Sequence, residues 1–132
     1  MVFPNIGLEM DWTIIIHAEN QYAEIVTSGV ADNRGSLEMA KAIPIALSNY
    51  RIKKVLIDHR NISTVAGNVA DVHSRPKKFP QIGVILGIKV AEVVKPEHEM
   101  FFKFLEMVCV KRGFKFSVFN DKETALDWLL ST

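Results

Sequence analysis

The chain contains a single cysteine, Cys109, and this scarcity already limits its chemistry. One cysteine forms no disulfide within the chain and no CxxC motif, so a dithiol redox pair and a cysteine-based metal centre are both excluded. Disulfides are typical of secreted proteins, whereas free thiols are typical of reducing compartments. We therefore expect a cytoplasmic protein.

The chain also lacks an excess of charge of either sign. Sixteen Lys and Arg residues against fifteen Asp and Glu residues leave a net charge of +1. Proteins that bind a phosphate backbone neutralise it with clustered basic residues, so nucleic acid is not an expected partner. The 48% hydrophobic content over 132 residues is ordinary for a globular protein of common domain size, and we expect residues 1–132 to form one domain.

Long apolar runs are absent as well. The most apolar stretch, residues 82–94, contains Lys89 and Glu92 and is shorter than the ~20 apolar residues needed to cross a bilayer. Residues 1–5 lack the positive region and apolar core of a secretion signal. We expect no transmembrane segment and no secretion signal.

Hydrophobic periodicity predicts the first half of the fold. Residues 12–17 and 22–27 are β-branched runs separated by a short polar segment, which favours an antiparallel hairpin. Apolar residues at three- and four-residue steps predict a helix over residues 32–49. Pro44 lies inside this pattern, and because proline removes a helical hydrogen bond we expect a kink or the start of a second helix there.

The second half alternates strands and helices. A short apolar run predicts a buried strand that ends with Asp58 at the rim of the sheet. The segment from Pro76 to Gly87 has no readable pattern. The remaining predicted elements are a helix over 69–78, a strand over 89–94, a helix from Pro96 to about Arg112 with Gly113 as its cap, a strand over 115–119, and a last helix after a capping box of Asn120 and Glu123. The predicted fold class is α/β, with a mostly parallel sheet of about five strands opened by an antiparallel hairpin and about four helices.

This order of elements, together with the sequences VLIDHRNI at 55–62 and RGFKFSVFNDKETALDWL at 112–129, resembles the SpoIIAA-like, or STAS-like, family. The second stretch contributes most, with its glycine, its strand ending in Phe, its acidic turn and its Ala-Leu-x-Trp-Leu helix. The resemblance implies a non-catalytic binding or regulatory module. The best-known members are anti-sigma-factor antagonists that capture a protein partner, and relatives bind nucleotides or lipids.

One feature of the regulated members is missing. They have an Asp-Ser pair at the start of the second helix, where this sequence has Ala66 and Gly67. Ser63 and Thr64 lie nearby without taking the motif position. The usual phosphoacceptor serine is therefore missing from the motif position, and whether Ser63 or Thr64 is phosphorylated stays open.

Asp58, His59 and His73 are the ionisable residues that we expect at the carboxyl edge of the sheet, where α/β folds place ligands. They are candidate ligand-binding residues. An alternative function is a small hydrolase or transferase that uses Asp58 with His59 or His73. The simpler interpretation is that Asp58 accepts hydrogen bonds from the following loop and that both histidines are solvated. The sequence has no GxSxG motif, no phosphate-binding glycine loop and no set of three or four zinc ligands, so we predict no cofactor and no metal.

Basic residues cluster in one place, where Arg75, Lys77 and Lys78 follow His73. Arg75 and Lys77 are candidate ligands for an anion, and ordinary solvated surface charge is the alternative.

The segment 100–110 is apolar on nearly every side of a helix. Such a helix is either buried on several sides or presents a surface that another chain or an apolar ligand covers. Phe102, Met107 and Val110 are therefore candidates for a homodimer contact or for the wall of an apolar pocket, and deep burial is the alternative. Trp128 is expected to anchor the last helix to the sheet. The expected partners are a second copy of the chain, a regulatory protein, or a small apolar or anionic ligand.

Overall fold

A computed structural model describes residues 2–4, 9–67, 69–78 and 87–131. Side chains are described throughout these ranges except at residues 2–4, 69, 76 and 78. The elements are β1 (Val2–Pro4), β2 (Met10–His17), β3 (Tyr22–Ala31), α1 (Asn33–Leu47), β4 (Lys54–Val65), α2 (Val69–Lys78), β5 (Lys89–Val93), a 3-10 turn (Pro96–His98), α3 (Glu99–Lys111), β6 (Lys115–Phe119) and α4 (Lys122–Leu130).

The strands form one six-stranded sheet in the sequential order β1 to β6. β1 pairs with β2 and β2 pairs with β3 in antiparallel fashion, and the pairings from β3 to β6 are all parallel. Each parallel step contains a crossover helix, because parallel neighbours cannot be joined by a tight turn. The predicted α/β fold, with its opening hairpin and parallel strands, is confirmed. The short edge strand β1 is an addition that the sequence pattern did not predict.

Side chains alternate between the two faces of the sheet. On β4, Val55 and Ile57 pack with α1, whereas Leu56 packs with Ala125 and Leu129 of α4. On the same face, α3 packs over β6, and α2 contacts both α3 and α1. The main core thus lies between the sheet and the layer formed by α1, α2 and α3, and α4 covers the opposite face.

The helix α1 begins at a capping residue, Asp32, whose side chain accepts a hydrogen bond of 2.6 Å from the amide of Gly35. It continues through Pro44 as one helix, so of the two predicted alternatives the second helix at that point is wrong. Pro44 lies in the last turn of α1, so only a few helical hydrogen bonds follow the one that proline removes.

The strand β4 does not end at Asp58, as predicted, but continues to Val65. It pairs with β5 only as far as Asp58, and beyond that point β3 is its only partner among the described strands. We call residues 59–65 the β4 overhang. Lys95 lies against it and donates a hydrogen bond of 2.8 Å to the carbonyl oxygen of Ile62.

The C-terminal part follows the prediction closely. Gly113, at a φ of 90°, ends α3 as expected. The cap of α4 is one residue later than predicted: Asp121, and not Asn120, accepts a hydrogen bond of 2.8 Å from the amide of Thr124. Trp128 is half-buried against Phe119 and is covered by the Lys89 ammonium, 4.5 Å from the ring centre.

In the ranges that the structure describes, no helix combines the length and hydropathy needed to span a bilayer.

Candidate functional site

A cavity of about 70 Å³ lies between α1, α3 and the central strands of the sheet. Its wall is mainly apolar. Met39 and Ile43 of α1 form one side, Phe102 and Leu105 of α3 form another, and Ile57 of β4 lies on the floor. These residues also belong to the main core, so the cavity is a gap within packed apolar side chains.

Three ionisable side chains also line this apolar space: His59 from β4, Glu92 from β5 and Arg75 from α2. Their exposed fractions are 2%, 3% and 4%. His59 and Glu92 share a face of the sheet because Glu92 pairs in register with Ile57, two residues before His59. Burying ionisable groups is costly unless they are paired, so the contacts of these three decide what the site can do.

His59 is held by two partners and a stacked ring. Its Nδ1 lies 2.7 Å from the hydroxyl of Thr27, and its Nε2 lies 3.1 Å from Oε2 of Glu92. The ring of Phe102 stacks on the imidazole with 4.7 Å between centres. These contacts fix the imidazole in position and orientation.

The hydroxyl of Thr27 links His59 to the backbone. It donates a hydrogen bond of 3.2 Å to the carbonyl oxygen of Asp58, because a carbonyl oxygen only accepts, and its oxygen lies 2.7 Å from Nδ1 of His59. The imidazole of β4 is therefore joined to β3 through Thr27 and to β5 through Glu92.

Two buried atoms of the site have no hydrogen-bond partner: Nη2 of Arg75 and Oε1 of Glu92. Arg75 donates through Nε to the side chain of Asn33 at 3.3 Å. Burial lowers the pKa of the Arg75 guanidinium, and the negative charge of Glu92 opposes this change. Arginine remains charged in proteins, so the cavity contains a cationic donor and a carboxylate acceptor. The two groups interact through their charges, and among the described contacts no hydrogen bond joins them.

Asp58 does not join this cluster. As the neighbour of His59 on a strand, it points to the opposite face of the sheet. There its carboxylate accepts hydrogen bonds of 2.9 and 2.8 Å from the guanidinium of Arg60. Burial would raise the pKa of Asp58, but the bonds from Arg60 outweigh burial and lower it. The sequence-based expectation that Asp58 meets His59 or His73 is therefore not what the structure shows, since the carboxylate at His59 is Glu92.

The basic cluster is also divided. His73 and Lys77 are exposed on α2, whereas Arg75 points inward on the side of the helix that contains the buried Val72. The side chain of Lys78 lies outside the described residues. Helical periodicity explains the division, because residues three apart share a face and neighbours do not. Of the five candidate ligand residues, the structure brings only His59 and Arg75 to the cavity.

The candidate contact residues of α3 likewise lie in two places. Phe102 is buried in the cavity wall, whereas Met107 and Val110 are 46% and 53% exposed. Phe102 therefore takes the pocket-lining position that the sequence offered as one alternative. A homodimer contact through Met107 and Val110 stays a prediction.

Sequence reasoning missed Glu92 and Thr27 as site residues. Glu92 does leave a signal, since it is an acidic residue flanked by apolar residues in a predicted strand, and a charge buried there needs a compensating partner. Thr27 leaves none, because threonine is common in strands.

A second polar cluster lies on the α4 side of the sheet. The buried carboxylate of Glu24 accepts hydrogen bonds from His17 at 2.9 Å and from Lys122 at 2.8 Å. The bond from Lys122 joins α4 to β3. Since both oxygens of the Glu24 carboxylate have a partner, this carboxylate is not an open acceptor for a ligand.

Metal and thiol chemistry receive no support from the geometry. Within the described residues, no group of three or more His, Cys, Asp or Glu side chains could hold a metal ion. Cys109 is buried, and burial raises its pKa to about 12, so its thiol is not ionised near neutral pH.

Comparisons with known proteins agree on the fold. No family model and no curated protein sequence matches the chain. Among solved structures, an uncharacterised protein of the DUF3478 family with a SpoIIAA-like fold from Shewanella loihica PV-4 is 21% identical, with a TM-score of 0.57 over 95% of this chain and 98% of that one. An anti-sigma factor antagonist from Mycobacterium paratuberculosis is 10% identical, with a TM-score of 0.57 over 92% and 95% of the two chains. The anti-sigma factor antagonist SpoIIAA in its unphosphorylated form is 14% identical, with a TM-score of 0.51 over 92% and 99%. Likeness at these identities concerns architecture, and the chain therefore has the SpoIIAA-like fold that its sequence predicted.

Proposed function

We propose that this protein is a non-catalytic binding module of the regulatory kind, and that it holds a small ligand with an apolar body and a polar end in the cavity between α1 and α3. The observation that supports this most is the pair of buried, unpartnered atoms, Arg75 Nη2 and Glu92 Oε1, at an otherwise apolar cavity. The likeness in fold to two anti-sigma factor antagonists supports the regulatory part of the proposal.

The energetics favour an occupant. Leaving a buried polar atom without a partner costs ~1–3 kcal/mol, and more when the group is charged. A ligand that bonds to both atoms removes this cost, and its apolar part gains from contact with the wall. Costly local arrangements of this kind are typical of functional sites.

The size of the cavity limits the ligand. At about 70 Å³ it is roughly half of the ~150 Å³ that accommodates benzene in an engineered cavity. The part of a ligand held within this volume has only a few non-hydrogen atoms, which favours a small molecule over a nucleotide or a lipid chain.

The geometry favours binding over catalysis. Thr27, His59 and Glu92 are bonded in the order of a nucleophile, a base and an orienting acid. Thr27, however, is fully buried and does not line the cavity, so a substrate there has no access to its hydroxyl. The alternative hydrolase or transferase would use Asp58, which Arg60 binds on the other face of the sheet.

A cavity-filling variant tests the proposal. Ala40 lines the cavity on α1, and Ala40→Leu places three more carbons in it. Small compounds that raise the melting temperature of the wild type should not do so for Ala40→Leu. The matched control is Ala70→Leu, which adds the same carbons to an exposed position on α2 and should keep the response.

Native mass spectrometry of the purified protein complements this test, because it reports a co-purified ligand directly. A library of small compounds that produces no stabilisation of the wild type, or the same stabilisation of wild type and Ala40→Leu, would contradict the proposal.

A further inference from the structure

We infer, building on the proposed function, that the polar end of the ligand is an uncharged group with an acceptor and a donor side by side, such as a primary carboxamide or a protonated carboxylic acid. The acceptor bonds to Nη2 of Arg75 and the donor bonds to Oε1 of Glu92.

The hydrogen-bond inventory sets this requirement. A guanidinium only donates, so whatever meets Nη2 of Arg75 must accept. An ionised carboxylate only accepts, so whatever meets Oε1 of Glu92 must donate. Oε2 of Glu92 already has its donor in His59, which leaves Oε1 as the open position.

A simple ion does not meet this requirement. A carboxylate anion has no donor for Oε1 of Glu92, and an ammonium has no acceptor for Nη2 of Arg75. A neutral head group with both an acceptor and a donor serves both atoms and brings no further charge into a buried apolar site.

A carboxylic acid satisfies the same requirement only by binding with a proton. That proton is the donor to Oε1 of Glu92, and the carbonyl oxygen of the acid accepts from Arg75. The affinity for an acid should therefore fall about tenfold for each pH unit above the acid's own pKa, because the protonated fraction falls by that factor. The affinity for an amide should not change over the same range.

Three probes of one shape test the inference: propionamide, propionate and 2-butanone. All are an ethyl group on a carbonyl carbon, and the third substituent is NH₂, O⁻ or CH₃. Binding is followed by NMR titration of the methyl signals of Ile43, Ile57 and Leu105 in the cavity wall, with Leu56 and Leu129 on the α4 side as internal controls. Probes of this size bind weakly, so titrations extend to ~100 mM.

Propionamide should bind at least about tenfold more tightly than 2-butanone, because the ketone leaves Oε1 of Glu92 without a donor. Propionate should bind more tightly as the pH is lowered from 7, and propionamide should not. The variant Glu92→Gln replaces the carboxylate by an amide that can donate to an anion. In this variant the affinity for propionate should no longer depend on pH. The difference in affinity between propionamide and 2-butanone should become smaller.

The outcomes separate the inference from the proposed function. Equal affinity for amide and ketone, or tight binding of propionate that is independent of pH, would overturn the inference and leave the cavity as a ligand site. No shift of the wall methyls with any of the three probes would overturn both. If Glu92→Gln does not fold, the order of the three affinities for the wild-type protein still tests the inference.

Discussion

Replacing both of the charged side chains that have unpartnered atoms in the cavity should stabilise the ligand-free protein. Arg75 is 4% exposed, donates a long hydrogen bond to Asn33 at 3.3 Å, and leaves Nη2 unpaired. In the double variant Arg75→Met/Glu92→Gln, methionine keeps an unbranched side chain of similar length, and glutamine keeps the shape of Glu92 while removing its charge. Because both charges are removed together, no buried charge is left unbalanced.

The magnitude follows from the contacts. Losing a hydrogen bond of this kind costs ~0.5–1.5 kcal/mol, while removing an unpaired buried donor returns ~1–3 kcal/mol. Asn33 is only half-buried, so water can replace Arg75 as its partner. We expect a net gain of about 1 kcal/mol in the free energy of unfolding, which for a chain of this size is a rise of ~4 °C in the melting temperature.

The assay is urea denaturation followed by circular dichroism, on protein shown to be ligand-free by native mass spectrometry. Arg51→Met is the control, because Arg51 is exposed and its replacement should change stability by no more than ~0.5 kcal/mol. A loss of stability in the double variant would refute the reasoning, whereas Arg75→Met alone should lose stability because it leaves the charge of Glu92 uncompensated. A loss in the double variant would mean that Arg75 and Glu92 stabilise the fold even without a ligand.

Three further predictions concern the rest of the molecule. Because hydrogen bonds from Arg60 outweigh burial and lower the pKa of Asp58, their contribution to stability is present above the usual aspartate pKa of ~3.9 and is lost as the pH falls through the lowered value. Arg60→Gln should therefore flatten the fall in unfolding free energy below about pH 4, and identical acid profiles would contradict this. Gly29→Ala should destabilise the protein by more than ~2 kcal/mol in thermal melts, since Gly29 has a φ of 84° and a Cβ there overlaps a main-chain carbonyl oxygen. Gly67→Ala should cost less stability, because Gly67 also has a positive φ but a Cβ there meets no neighbouring atom. A larger loss for Gly67→Ala than for Gly29→Ala would show that the overlap with the carbonyl oxygen does not determine the cost. Cys109, buried and with its pKa raised to about 12, should react with Ellman's reagent at pH 8 only after unfolding in urea, and fast labelling of the native protein would show that its burial is transient.

The fold was predictable because its signals are local. Alternating and helical periodicities, the glycine after α3 and the acidic turn before α4 each depend on a few consecutive residues. The end of β4 was not predictable in this way. A charged residue at position 58 is typical of a strand end, but Arg60, two residues later on the same face, pairs with it and lets the strand continue.

The site was only partly predictable because its contacts join distant parts of the chain. His59 and Arg75 are recognisable as ionisable residues near predicted element ends. Their surroundings come from Glu92 on another strand and Phe102 on another helix, and the sequence does not show that these meet. The sequence also placed Arg75 in a basic cluster with its neighbours. It did not show that Arg75 lies on the buried side of α2.

The β4 overhang bears on how the protein avoids aggregation. An open strand edge is a template onto which a strand of another chain can add and start a fibre. On the β5 side of this edge, the ammonium group of Lys95 occupies the carbonyl oxygen of Ile62. An incoming strand would have to displace this charged side chain and break its hydrogen bond, so a single lysine discourages the overhang from recruiting further copies of the chain.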